Sequence, residues 1–155
     1  MQAEFEQVMQ QFAANQALDL QMASRFTAAE FRHGIQWLVA HDKTQLALAL
    51  ADAGLSFYPH SEDILAIAGL LAMTQESWPL AIELLEDLRL VQGDAVQAMT
   101  YHMLGRAYNC NLDPAEAQRV LAQGLIAWPN DATLLAEQDA MVPSENAFVA
   151  ASRLN

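Results

Sequence analysis

The chain has 155 residues, of which 54% are hydrophobic, and its 19 Asp and Glu against 7 Lys and Arg give a formal net charge of -12. This acidity keeps an apolar-rich chain soluble, repels phosphate backbones and attracts basic partners, so we expect no nucleic-acid binding. The length suits a single domain with a sizeable core.

The compartment is indicated by the cysteine content and by the first residues. One cysteine, Cys110, excludes an internal disulfide framework and suits a reducing environment. The acidic, polar start lacks the basic and then apolar layout of a secretory signal. The longest apolar run, residues 64–73, is too short to span a bilayer. We therefore expect a cytoplasmic protein without membrane insertion.

Residues 1–27 predict an amino-terminal helical segment. Phe5, Val8, Met9 and Phe12 recur at helical spacing, and a short apolar connector follows them. One interpretation is that this segment covers the exposed face of the helices that come next. The other is that Phe5 and Phe12 form a detachable arm or a homodimer contact, because exposed apolar stripes mark interfaces.

Residues 28–61 predict a first pair of helices. Thr27 and Glu30 form a capping box at the start of the first helix. The segment 41–44 interrupts that helix, and we expect Asp42 or Thr44 to cap the second one.

Residues 62–97 predict a second pair, with Ser61 and Ser77 as the caps of its two helices. This pair has Leu88 where the next pair has a glycine, and Gly93 where its neighbours have a proline. The local geometry around Leu88 is therefore expected to differ.

Residues 98–131 show the clearest pattern. The first helix carries Tyr101, Leu104, Gly105 and Tyr108, and the second carries Ala117, Leu121 and Gly124 before Trp128-Pro129 ends it. Gly105 and Ala117 are small enough to let two helices cross closely, and Gly124 would leave room for a following helix.

This pattern closely resembles the tetratricopeptide repeat (TPR), a unit of about 34 residues. The resemblance implies an all-α fold, an α-solenoid of three TPR helix pairs with extra helices at both ends. The single domain would consist of the amino-terminal segment, the three repeats and carboxy-terminal capping helices over residues 132–155. Asp131 would cap the first of these, Val142-Pro143 would interrupt it, and a last helix would hold Phe148 and Leu154.

The resemblance also implies a binding groove, because the first helices of successive TPR units line a concave surface. The positions that point into this groove correspond here to Arg32, Gln36, Val39, Asp63, Ala66, Leu70, Met73, Met99, His102, Arg106 and Asn109. Its centre is apolar and contains methionine, so an extended or helical segment with apolar anchors would suit it. The alternative for Arg32 and Arg106 is that each pairs with a local acid such as Asp63.

The sequence contains no recognisable catalytic or metal-binding motif, so we expect no enzyme activity, cofactor or metal. His102, Arg106 and Cys110 share one helical face, but the two turns between the ends span about 12 Å, too far for one ion.

The expected function is therefore a non-catalytic protein–protein interaction module that binds a peptide or an apolar client segment. Size, acidity and architecture resemble the type III secretion chaperones that hold hydrophobic translocators in the bacterial cytoplasm. The carboxylate clamp of chaperone-tail binders is not matched at Ile67, Met99 and Met103. The alternative function is a homo-oligomeric or assembly-scaffold subunit of a larger bacterial complex that uses its terminal helices.

Overall fold

A computed structural model describes residues 2–141, which form helices joined by short turns, with no strand among them. The all-α prediction is confirmed. The helices are α1 (Gln2–Asn15), α2 (Leu20–Ala23), α3 (Ala28–Ala40), α4 (Thr44–Phe57), α5 (Glu62–Thr74), α6 (Trp78–Gln92), α7 (Ala98–Cys110), α8 (Pro114–Ala127) and α9 (Ala132–Met141). A short 3-10 helix, Gly93–Ala95, follows α6. The predicted interruption at Val142-Pro143 and the helix with Phe148 and Leu154 lie outside the described residues.

The chain divides into two compact units, and the first unit ends at Asp94. It contains two helix pairs, α3 with α4 and α5 with α6, and α5 also packs against α3 and α4. The amino-terminal helix α1 packs on α3, with Met9 fully buried and Phe12 only 2% exposed. Met9 and Phe12 of the α1 stripe therefore belong to the core of this unit, whereas Phe5 and Val8 are half-buried.

The second unit begins at Ala95 and contains the pair α7 and α8, with α9 packed against both. Leu104, Leu121 and Leu134 form its fully buried centre. Asp131 caps α9 as predicted, because its carboxylate accepts a hydrogen bond of 3.0 Å from the backbone N–H of Leu134.

A glycine and a leucine meet where the two helices of each pair cross. A methyl group placed on the glycine would lie only 2.7–2.8 Å from the leucine Cδ2, which is closer than real carbon contacts. The helices can approach this closely only because the glycine has no side chain. The three contacts are Gly34 with Leu50, Gly69 with Leu85 and Gly105 with Leu121.

The turn inside each pair contains a residue with left-handed backbone conformation and no glycine. Asp42, Glu76 and Leu112 have φ values of 58°, 56° and 62°. In each turn the next N–H donates to the carbonyl five residues earlier, which closes the end of the first helix. Gln16, after α1, has the same conformation with φ 51°. The amino-terminal helix thus ends in the same way as the first helix of a repeat.

The helix caps agree only in part with the sequence predictions. The capping box is confirmed, since Thr27 and Glu30 exchange hydrogen bonds of 3.1 Å, and the Ser61 hydroxyl accepts from the N–H of Ile64. The predicted cap of α4 is wrong, because Lys43 occupies that position without a side-chain hydrogen bond. The left-handed turn moves Asp42 out of capping position. Ser77 stands at the start of α6, but no side-chain capping bond forms.

An aromatic side chain closes the first and third repeats, a feature that the sequence analysis missed. The hydroxyl of Tyr58 donates a hydrogen bond of 2.8 Å to the backbone carbonyl of Phe26. The indole N–H of Trp128 donates one of 2.9 Å to the carbonyl of Val96. Each bond ties the end of a repeat to the residues just before its first helix. An aromatic residue before a proline in both repeats was the available signal.

Candidate functional site

The predicted groove residues of the first unit lie on α3 and α5, two helices that pack against each other. On each helix the residues recur at spacings of three and four, so they share one face. We call this set the α3/α5 strip; it comprises Arg32, Gln36 and Val39 on α3, and Asp63, Ala66, Leu70 and Met73 on α5.

Helix α5 is apolar on its outer side as well as on its inner side. Ile64 and Leu65 are buried in the core, whereas Leu70 is 47% exposed and Met73 is half-buried. On the neighbouring helix, Val39 is 42% exposed. A surface helix ordinarily presents polar residues on its outer face, so exposed apolar side chains on adjacent helices make this strip a candidate contact surface.

Arg32 lies at one end of the α3/α5 strip, and not all of its guanidinium N–H donors have a hydrogen-bond partner. Its Nη2 is 3.3 Å from Nε2 of the adjacent His33, and its Nε is buried without a hydrogen-bond partner. Within residues 2–141 Arg32 forms no ion pair with Asp63, which is exposed. The suggested pairing of these two residues is therefore not found.

The predicted residues of the second unit lie on α7, and we call them the α7 strip: Met99, His102, Arg106 and Asn109. Met99 is 63% exposed, and Arg106 and Asn109 are also exposed. His102 is different, because its Nε2 lies 3.1 Å from Oε1 of Glu137 on α9 and its Nδ1 is buried without a partner. This imidazole is engaged within the unit, where it links α7 to α9.

The first unit also contains a cleft that the sequence analysis did not identify. It has a volume of about 240 Å³ and is lined by Glu4, Phe5, Val8, Met22, Arg25, Phe26 and Glu30. The rings of Phe5 and Phe26 lie 5.4 Å apart between centroids and are tilted by 55°. The residues come from three elements that meet only in the folded chain, so spacing along the sequence could not reveal the cleft.

Cys110 is a free, exposed thiol. In the part of the chain that the structure describes, no group of three or more His, Cys, Asp or Glu is arranged to hold a metal ion. None of the helices between residues 2 and 141 is long and apolar enough to cross a membrane.

Several solved structures resemble this one. A MamA RS-1 ArsTM double mutant is 16% identical, with a TM-score of 0.67 over 90% of this chain and 82% of that chain. Two structures of a candidate Podosopora anserina kinesin light chain with nearly identical TPR-like repeats are 21% and 19% identical. Their TM-scores are 0.64 and 0.62 over 86% of this chain and 70% and 71% of theirs.

No protein-family model matches the chain, and no curated protein matches it. The likeness to the solved structures therefore concerns the fold. It agrees with the paired helices, their glycine–leucine crossings and their common turns. The chain has the fold of TPR-like repeat proteins.

Proposed function

We propose that the protein is a non-catalytic interaction module whose α3/α5 strip binds a peptide or an apolar segment of a client protein. The observation that carries this proposal is the exposure of Leu70 and Val39 on two packed first helices. The TPR-like fold supports it, because the helices of such a fold present exposed faces to which a partner can bind, and the fold alone specifies no catalytic site.

The side chains of the strip could contact apolar segments of somewhat different shapes. Met73 and Ala66 are half-buried beside Leu70, and methionine adapts its shape to different neighbours. Covering this surface would contribute about 25 cal/mol for each Å² of apolar area removed from water, less the cost of ordering the client. Arg32 would supply hydrogen-bond donors at the end of the strip, where it can meet a polar group of the bound segment.

The exposed residues of the α7 strip, Met99, Arg106 and Asn109, are proposed as a further contact surface on the second unit. Since His102 already contacts Glu137, its contribution would be to hold α7 against α9.

A narrower form of the proposal concerns the class of client. We propose a chaperone of the type III secretion class, which would keep a hydrophobic translocator covered in the bacterial cytoplasm until export. The net charge of -12 and the exposed Leu70 of α5 support this form, because such a protein must remain soluble while presenting an apolar surface.

The test is a comparison of two matched substitutions in the intact protein, used as bait in an extract of the cells that produce it. Leu70 on α5 and Leu80 on α6 are 47% and 44% exposed, so Leu70→Glu and Leu80→Glu make the same change at equal exposure. We expect a specific partner, identified by mass spectrometry, to be lost with Leu70→Glu and retained with Leu80→Glu. Both variants should keep the helical circular dichroism of the unchanged protein.

Retention of the same partner by both variants would contradict binding at the α3/α5 strip. It would favour the assembly-subunit alternative, in which the terminal helices make the contacts. In that case deletion of residues 1–20 should change a concentration-dependent mass in solution.

A further inference from the structure

We propose that the cleft at the amino-terminal end of the first unit receives a lysine side chain from a basic partner protein. Its apolar walls are Phe5, Val8, Met22 and Phe26. These residues are separate from the α3/α5 strip, and the proposal does not depend on the function assigned to that strip.

The walls fit both parts of a lysine side chain. The volume of about 240 Å³ can accommodate a side chain. Val8 and Met22 offer apolar contact to the aliphatic stem of lysine, which is commonly buried while its charged end stays near water. Phe5 is half-buried at the cleft, and the face of its aromatic ring can attract an ammonium group; the ring of Phe26, 6% exposed, packs against it at 5.4 Å between centroids.

The charges at the cleft favour a cation. Glu4 is exposed in the first turn of α1, and Glu30 is held at the start of α3 by the hydrogen bond that it accepts from the N–H of Thr27. Arg25 is the single basic residue of the lining, and within residues 2–141 it forms no ion pair with either carboxylate. The lining thus carries two carboxylates against one guanidinium.

The charge of the surrounding unit acts in the same direction. Residues 1–94 contain thirteen carboxylates and four basic side chains. A surface with this imbalance raises the local concentration of basic segments and repels acidic ones. A purely apolar segment would gain nothing from it, which distinguishes a lysine from a leucine or a phenylalanine as the occupant.

The first experiment uses a peptide probe and the intact chain labelled at its methyl groups. Acetyl-Ala-Ala-Lys-Ala-Ala-amide is titrated while the NMR signals of Val8 and Met22 are followed. The same peptide with norleucine in place of lysine keeps the stem and lacks the charge. We expect the lysine peptide to shift both signals and to bind roughly 3-fold or more tightly than the norleucine peptide. Equal binding of the two peptides, or no shift of these signals, would overturn the proposal.

Matched variants then separate the cleft from the general acidity of the protein. Glu4→Gln and Glu6→Gln change the same helix and the net charge equally, but only Glu4 lines the cleft. We expect Glu4→Gln to weaken binding of the lysine peptide about 2- to 5-fold and Glu6→Gln to leave its affinity nearly unchanged. Equal losses would show a diffuse attraction and overturn the assignment.

The sign of the effect at Arg25 provides an independent check. Arg25→Gln removes the cation from the lining and should tighten binding of the lysine peptide. If the cleft were instead a site for an anion, the same change would weaken binding of that anion. Phe5→Leu keeps apolar bulk and removes one ring, and it should weaken binding roughly 2- to 5-fold. Weaker binding with Arg25→Gln, or unchanged binding with Phe5→Leu, would contradict the proposal. Circular dichroism of each variant confirms that the helices are retained.

Discussion

The first and third repeats close in the same way, although they belong to different units, and the second repeat closes differently. In the first and third repeats a glycine is followed, four residues later, by an aromatic residue and a proline: Gly54, Tyr58 and Pro59, and Gly124, Trp128 and Pro129. The second repeat has Leu88, Gln92 and Gly93 at the same places.

The contacts explain why the glycines matter. A methyl group on Gly54 would lie 3.1 Å from the ring of Phe31 and 3.3 Å from Ile64 on the next helix, α5. One on Gly124 would lie 2.8 Å from Cβ of Tyr101 and 3.3 Å from Leu134 on α9. Because each glycine has no side chain, two helices can pack closely against it: the first helix of its own repeat and the helix that follows the repeat.

The second repeat ends with a different device. Leu88 is itself buried, α6 continues to Gln92, and Gly93 has φ 59° and ψ -114°, a backbone conformation that suits glycine, as the 3-10 helix begins. The division of the chain into two units falls within this 3-10 helix, between Asp94 and Ala95. The lesson is that a repeat can keep its internal glycine–leucine crossing, here Gly69 with Leu85, while its exit is rebuilt.

The largest effect is expected when Gly124, near the end of the third repeat, is replaced by leucine, because the second repeat has Leu88 at the equivalent position. Gly124→Leu would place a side chain against the fixed Cβ of Tyr101, which cannot swing away as the end of a long side chain could. We expect a loss of about 2–3 kcal/mol in the free energy of unfolding, measured by urea denaturation. Ala122→Leu, at an exposed site in the same helix, is the control and should change stability little. A loss of similar size in both variants would show that close packing at Gly124 is not the cause.

A smaller effect is expected when the aromatic hydrogen bonds are removed. Tyr58→Phe and Trp128→Phe each delete one donor and keep a ring in place, so the carbonyl of Phe26 or Val96 loses its partner. Each should lower the free energy of unfolding by about 1 kcal/mol. If one variant were neutral and the other costly, the two closures would not be equivalent, and the comparison between the first and third repeats would fail.

The smallest effect is expected at the turns, where the repeats agree. Leu112 is 90% exposed and has a φ of 62°, so its side chain gains little from burial and its backbone is strained. Leu112→Gly should raise the free energy of unfolding by about 0.5–1 kcal/mol, measured by thermal denaturation. Ala122→Gly, in the middle of a helix, should lower it by about 1 kcal/mol. A loss in both variants would contradict the strain assigned to this turn.

Much of the fold follows from local sequence signals. The crossing at Gly105, the capping box of Thr27 and Glu30, and the end of a helix pair at Pro129 each depend on residues close together in the chain. Such features are readable because size, capping ability and a missing amide are properties of single residues. The conformation of the turns is harder to predict, because Asp42 has a left-handed conformation at a position where only a glycine would have indicated it.

The candidate sites depend on contacts between distant residues and were only partly predictable. The exposed face of α5 with Leu70 could be expected from helical spacing, and its exposure is observed. The engagement of His102 by Glu137 and the cleft beside Phe5 could not be expected, because each joins elements that only the folded chain brings together. A charged or aromatic residue at a predicted surface position thus does not reveal whether its contacts are internal.

The most direct test of the central claim is site-specific photocrosslinking in the cells that make the protein. A photoreactive benzoylphenylalanine is placed at Leu70 of the α3/α5 strip or at Leu80 of α6, two sites of nearly equal exposure. We expect a discrete crosslinked partner from position 70 and none from position 80. Crosslinks from position 80 alone would contradict binding at the α3/α5 strip and would place the interaction surface on α6.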